Sequence, residues 1–151
     1  MRSKAQWLDE YARTHQNRVN KRIHYVCVPL IFWSVLAFLW WLPTPWEKTA
    51  LMNWALLSAA IALLFYLRLG FSAFAKMILI AAVAIAISAG LESLGAPLGY
   101  IAVVIFVLAW IGQFYGHKIE GKKPSFFDDL AFLLIGPLWI IEHLTQRDQK
   151  T

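Results

Sequence analysis

Residues 25–42 read YVCVPLIFWSVLAFLWWL, a run with no charged side chain. A helix rises about 1.5 Å per residue and the hydrocarbon core of a bilayer is roughly 30 Å thick, so about 20 such residues make a crossing. The run ends at Pro43-Thr44-Pro45, which cannot continue a helix. Outward from it, comparable apolar runs cover 50–67, stopping at Arg68, then 77–91 and 97–115. Glu92, Gly95 and Pro97 mark a tight turn between the last two. The expected fold is therefore all-α, an integral membrane bundle of four transmembrane helices.

Composition agrees with that reading. Of 151 residues, 60% are hydrophobic and only 15% charged, against about 45–50% apolar in soluble domains. Such a chain is neither disordered nor an ordinary soluble enzyme, and its basic N-terminus lacks the aromatic interleaving of a nucleic-acid site, so no nucleic-acid partner is expected. One cysteine, Cys27, excludes an intrachain disulfide and a multi-Cys zinc site. A single membrane-embedded domain is expected: a segment over 1–24, the four spans over 25–115, and a loop, short helix and tail over 116–151.

The segment 130–144 is apolar but short, is interrupted by Gly136-Pro137, and ends in Glu142 and His143. That suits an interfacial or re-entrant helix better than a fifth crossing. Basic residues then fix orientation. Thirteen of the 14 Lys and Arg, all but Lys48, fall on one side if 130–144 returns without crossing. Both termini are expected in the cytoplasm, with a bacterial inner membrane as the location.

All four histidines then lie at the cytoplasmic ends of the bundle: His15 and His24 before the first span, His117 after the fourth, and His143 on the short helix. A single histidine at a membrane interface is ordinarily an amphipathic residue at the water boundary. Four on one rim, beside Asn17, Asn20, Gln113, Glu120 and Glu142, point to a site. Two or three imidazoles with a carboxylate or water can hold Fe, Zn or Mn. Gln113, His117 and Glu120 share a face if the helix continues. His15 and His24 are nine residues apart, so they meet at one metal only if the chain bends between them, or else one assists from outside the ligand set. The Asn17–Asn20 stretch suits such a bend, since Asn favours caps over helix interiors. Glu142 follows a long uncharged stretch and needs a partner or a wet cavity. No G-x-S-x-G elbow, phosphate loop, H-E-x-x-H or dinucleotide fingerprint is present.

Two blocks carry a resemblance. The first is Tyr11-x3-His15-x-Asn17-x2-Asn20-x3-His24, followed by Val28-Pro29. The second is Gln113-x2-Gly116-His117-x2-Glu120 with Pro124, then Asp129-Leu130 and Gly136-Pro137-Leu138. Together they bracket the chain and resemble a membrane family whose fungal members are 2-hydroxy fatty acid dioxygenases of phytosphingosine breakdown. Val28 stands where that family usually has Gly, and Ser125 where Ala is common. The resemblance implies an Fe(2+)-dependent enzyme that takes O2 and a 2-hydroxy fatty acid and yields the acid one carbon shorter. It implies His15, His24 and His117 as metal ligands; Asn17, Asn20, Gln113 and Glu120 match positions of the pattern, and we expect them to support the ligands. His143 and Glu142 lie outside the pattern and are weaker, geometric candidates. The alternatives are another lipid-modifying enzyme, a hydroxylase or hydrolase using Zn or Mn, and a non-enzymatic protein that binds membrane lipids.

Overall fold

The computed structural model describes residues 2–148, with side chains described through Thr145; Lys150, counted in the charge tally, lies outside the described residues. Among the described residues all regular structure is helical: α1 (Lys4–Arg13), α2 (Arg18–Trp41), α3 (Trp54–Leu69), α4 (Phe71–Ser93), α5 (Leu98–Glu120) and α6 (Phe132–Asp148), with a 3-10 turn at Ser125–Phe127. Three of them, α2, α4 and α5, are long and apolar enough to cross a membrane. The second expected span is shorter than that: α3 has 16 residues. Its start is delayed to Trp54 because Asn53 caps it, accepting the Leu56 N–H at 3.1 Å.

Helix ends depart from the apolar runs in a consistent direction. α2 begins seven residues before Tyr25 and α5 continues five beyond Tyr115, so both carry polar side chains on helical turns. The basic connection expected between the second and third spans shrinks to one residue, Gly70, whose φ of 122° is open only to glycine. Lys76 is consequently inside α4.

Packing divides the chain into two compact units, one of Met1–Pro29 with Ala109–Thr151 and one of Leu30–Leu108. The second has a core of small residues, with Ala37, Ala55, Ala59, Ala81, Ala84 and Ala102 buried around Leu36, Trp40 and Leu98. Large side chains such as Ile61, Leu64 and Leu79 face outward. Small residues at the contacts let the helix backbones approach closely. Glu92 at the end of α4 is more than a solvated turn residue. It accepts the Trp40 indole N–H and the Lys48 ammonium, each at 2.7 Å.

The first unit is built from the two ends of the chain. A capping box between Ser3 and Gln6 starts α1. Its buried face, Trp7 and Tyr11 one turn apart, meets α6: Trp7 packs edge-on to Phe132 at 5.0 Å and Tyr11 lies 5.4 Å from Trp139. Arg2 pairs with Asp129 at 2.8 Å and Lys4 with Glu142 at 3.2 Å. Helix α6 runs through Gly136-Pro137 rather than breaking there. Pro137 is near the start of the helix, so one intrahelical bond is lost. A Cβ on Gly136 would stand 3.0 Å from the Tyr11 hydroxyl and 3.3 Å from Val28, so glycine lets α6 seat against α1 and α2.

Candidate metal centre

The bend that would bring His15 and His24 together is present. α1 ends at Arg13, four residues turn, and α2 starts at Arg18. Asn17 caps α2, its side-chain oxygen accepting the Val19 N–H at 2.8 Å. Glu120, last residue of α5, holds this turn from the other end of the chain. Its carboxylate accepts the backbone N–H of Gln16 (2.8 Å), that of Asn17 (2.9 Å) and the Asn20 amide (3.0 Å). Asn20 is fully buried, and its oxygen fits only because residue 116 has no side chain.

The result is a knot of three buried imidazoles. His15, His24 and His117 each offer one nitrogen, and these atoms lie within 4.8 Å of one another. Ring centroids are 4.3 Å apart for His15 and His24, and 4.9 Å for each of the other pairs. The Nε2 atoms of His24 and His117 face each other at 3.2 Å. Adjacent nitrogens on one metal at bond lengths of about 2.0–2.1 Å sit roughly 3.0–3.4 Å apart, so this pair already has ligand spacing.

Protonation and orientation suit a cation. His15 Nδ1 sits 2.6 Å from the Tyr11 carbonyl and His24 Nδ1 sits 2.9 Å from the Asn20 carbonyl. Donation from Nδ1 to a carbonyl leaves the Nε2 lone pair free and fixes the ring, as ligating histidines commonly do. His15 Nε2 is then buried with no hydrogen-bond partner, an atom that costs stability unless something binds it. Burial, reinforced by the neighbouring His24 and only partly opposed by the Tyr11 carbonyl, holds the His15 imidazole down at about 3. It is therefore neutral at physiological pH, the form that donates to a metal. The donor set fits a transition metal.

Around these rings the structure adds residues that local spacing singles out weakly. Tyr11, one turn before His15, stacks on it at 4.0 Å and 11°. Thr14 Oγ1 lies 3.1 Å from His15 Nδ1 and 2.5 Å from the hydroxyl of the buried Ser125. Of the expected supporting positions, Asn17, Asn20 and Glu120 shape the turn that carries the histidines. Gln113 is buried on the His117 face of α5 but bonds to none of the three rings. Glu142 and His143 are placed elsewhere: Glu142 pairs with Lys4, and His143 stacks on Trp139 at 5.0 Å. Neither belongs to the three-histidine group.

All-helical among its described residues, with three buried imidazoles gathered from its two ends, the chain falls in a class of helical proteins with a histidine cluster able to hold a metal ion. A family model described as "Mpo1-like: 2-hydroxy-palmitic acid dioxygenase Mpo1-like" matches residues 1–148, and the chain belongs to this family. No curated protein and no solved structure matches it.

Proposed function

We propose that the protein is an iron(II)-dependent dioxygenase that shortens 2-hydroxy fatty acids by one carbon at the cytoplasmic face of a membrane. The observation that carries this reading is the buried His15–His24–His117 cluster in a chain of the Mpo1-like family. His15, His24 and His117 would hold iron(II), which would supply the activation of O2. The chain's own residues keep the imidazoles neutral and oriented, and Tyr11, Trp139 and the α1–α6 packing keep bulk water from the rings. The basic side chains Arg18, Lys21, Arg22, Lys122 and Lys123 attract the substrate carboxylate. Of these, Lys122 also binds the Arg13 carbonyl at 2.7 Å, while Lys21 is half-buried three residues before His24 on α2. The acyl tail belongs with the apolar helices.

In this reading the chain crosses the membrane four times. α3 is the shortest crossing and is accommodated by local thinning or by its neighbours. α6 returns without crossing and both termini are cytoplasmic, as the distribution of Lys and Arg favours. Metal analysis of protein purified with and without oxygen, for wild type and for His15→Ala, His24→Ala and His117→Ala, tests the centre. Wild type is expected to carry iron that each variant loses; protein free of transition metal in both preparations overturns the proposal. Turnover of 2-hydroxypalmitate under labelled O2 is expected to put label in the shortened acid, which hydrolysis cannot do. Cysteines placed at Ser3 and Thr151 in a Cys27→Ser background should react with an impermeant thiol reagent from the same side of sealed vesicles.

A further inference from the structure

We infer that Gln113 recognises the 2-hydroxyl group of the substrate; this deepens the reading above and rests on its substrate class. Gln113 is only 5% exposed, yet among the described residues its carboxamide makes no hydrogen bond. The sealed and unpartnered polar atoms of this region are His15 Nε2, Asn20 Oδ1 and His117 Nδ1. The Gln113 amide is not one of them, so its tip borders space that another group can enter. A largely buried amide left unbonded is destabilising, and a bound polar group would offset that.

Its place on α5 says which group that is. Gln113 precedes His117 by four residues, so it lies on the same helix face about 6 Å along the axis, on the side away from the basic turn. The neighbouring face of α5 is pressed onto α2: a Cβ on Gly112 would lie 2.6 Å from Cys27 Sγ, and one on Gly116 would collide with Asn20. His117 and Gln113, each next to one of these glycines, are turned together to one side of that seam. One turn beyond His24 on α2, the matching position is Val28, which contacts Gly136 of α6 and offers no polar atom. Gln113 thus places a carboxamide on the apolar side of the histidines.

A 2-hydroxy fatty acid enters with its carboxylate at the basic rim and its tail toward the apolar helices. The first polar group after the carboxylate, in the direction of the tail, is the 2-hydroxyl. A carboxamide holds an N–H donor beside its carbonyl acceptor, with a second N–H to spare, and a hydroxyl both donates and accepts, so the two can satisfy each other reciprocally. An unsubstituted fatty acid offers a methylene at that position and leaves the amide unpaired, and a site built to bond a hydroxyl rejects such an analogue.

Equilibrium binding of 2-hydroxypalmitate, 3-hydroxypalmitate and palmitate to the metal-loaded full-length protein, under nitrogen so that no turnover occurs, tests this. Wild type is expected to favour 2-hydroxypalmitate over the other two by about tenfold or more. Gln113→Leu should bring that ratio close to one while metal content is unchanged. Gln113→Met, which keeps length and flexibility, should do the same and serves if the leucine variant is poorly folded. A preference that survives in both variants overturns the role of Gln113 and leaves the substrate class standing. Loss of metal with the preference intact also overturns it, since Gln113 then supports the ligands. Wild type that binds palmitate as well as 2-hydroxypalmitate overturns the substrate class and this role together.

Discussion

The side-chain oxygen of Asn20 occupies the space in which a Cβ on residue 116 would sit. Asn20 is fully buried and its carbonyl orients His24, while His117, next to the glycine, faces His24. The two helices that supply His24 and His117 therefore touch backbone to side chain beside the cluster. Gly116→Ala is expected to cost about 1–3 kcal/mol, the usual penalty for overpacking, and to lower metal occupancy. Gly90 in α4, with nothing within 4 Å of its would-be Cβ, is the control: Gly90→Ala should raise stability by about 0.5–1 kcal/mol. Thermal unfolding in detergent together with metal analysis checks both.

Glu120 is expected to act through the turn it holds rather than as a ligand. Glu120→Gln replaces an acceptor of three hydrogen bonds with an amide that can accept through one oxygen only. The substitution should weaken metal binding by about 10–100-fold, the range seen when groups that orient ligands are removed. Competition with a chelator measures this. Affinity equal to wild type would show that the α1–α2 turn keeps its shape without the charge.

Trp7 is eight residues from His15, yet the docking of α1 depends on it. It is 8% exposed, packs against Phe132 and lies under the Arg2 guanidinium at 4.4 Å. Trp7→Ala should cost about 3–5 kcal/mol and loosen the helix that delivers His15. Metal content should fall, and a single cysteine introduced at Ser3 should label faster.

A contrasting result is expected at the other unit. Glu92→Gln weakens an exposed pair with Lys48 and leaves a hydrogen bond to Trp40 in place. The loss should be about 1 kcal/mol or less, with metal content and substrate preference unchanged, as read from unfolding and binding measurements on one preparation.

The apolar runs made α2, α4 and α5 legible, because a span needs length and freedom from charge and little else. Their ends were not legible in the same way. A run is read as stopping at the first charge, whereas a helix stops where its end groups find partners. Asn17 provides that for α2 eight residues before the run begins, and Gly121, with φ of 70°, ends α5 six residues after Tyr115. The three histidines of the cluster stood out by type and by their pattern. The role of Glu120 did not, since its bonds to Gln16 and Asn17 join residues more than a hundred positions apart and leave no mark on local spacing. Gly136-Pro137 read as a break because its sequence says nothing of Tyr11 and Val28, whose closeness the glycine accommodates.

His24 and His117 are separated by 93 residues, and everything between Pro29 and Ala109 belongs to the other unit. The cluster is thus completed late in synthesis. At about 5–20 residues per second a ribosome needs roughly 5–20 s to travel from one ligand to the other. Throughout that interval the nascent chain carries His15 and His24 without their third partner, and α1 has no α6 to dock on. Bringing the three imidazoles together is therefore a property of the finished polypeptide, and a chain truncated before α5 is complete lacks the third of them, His117.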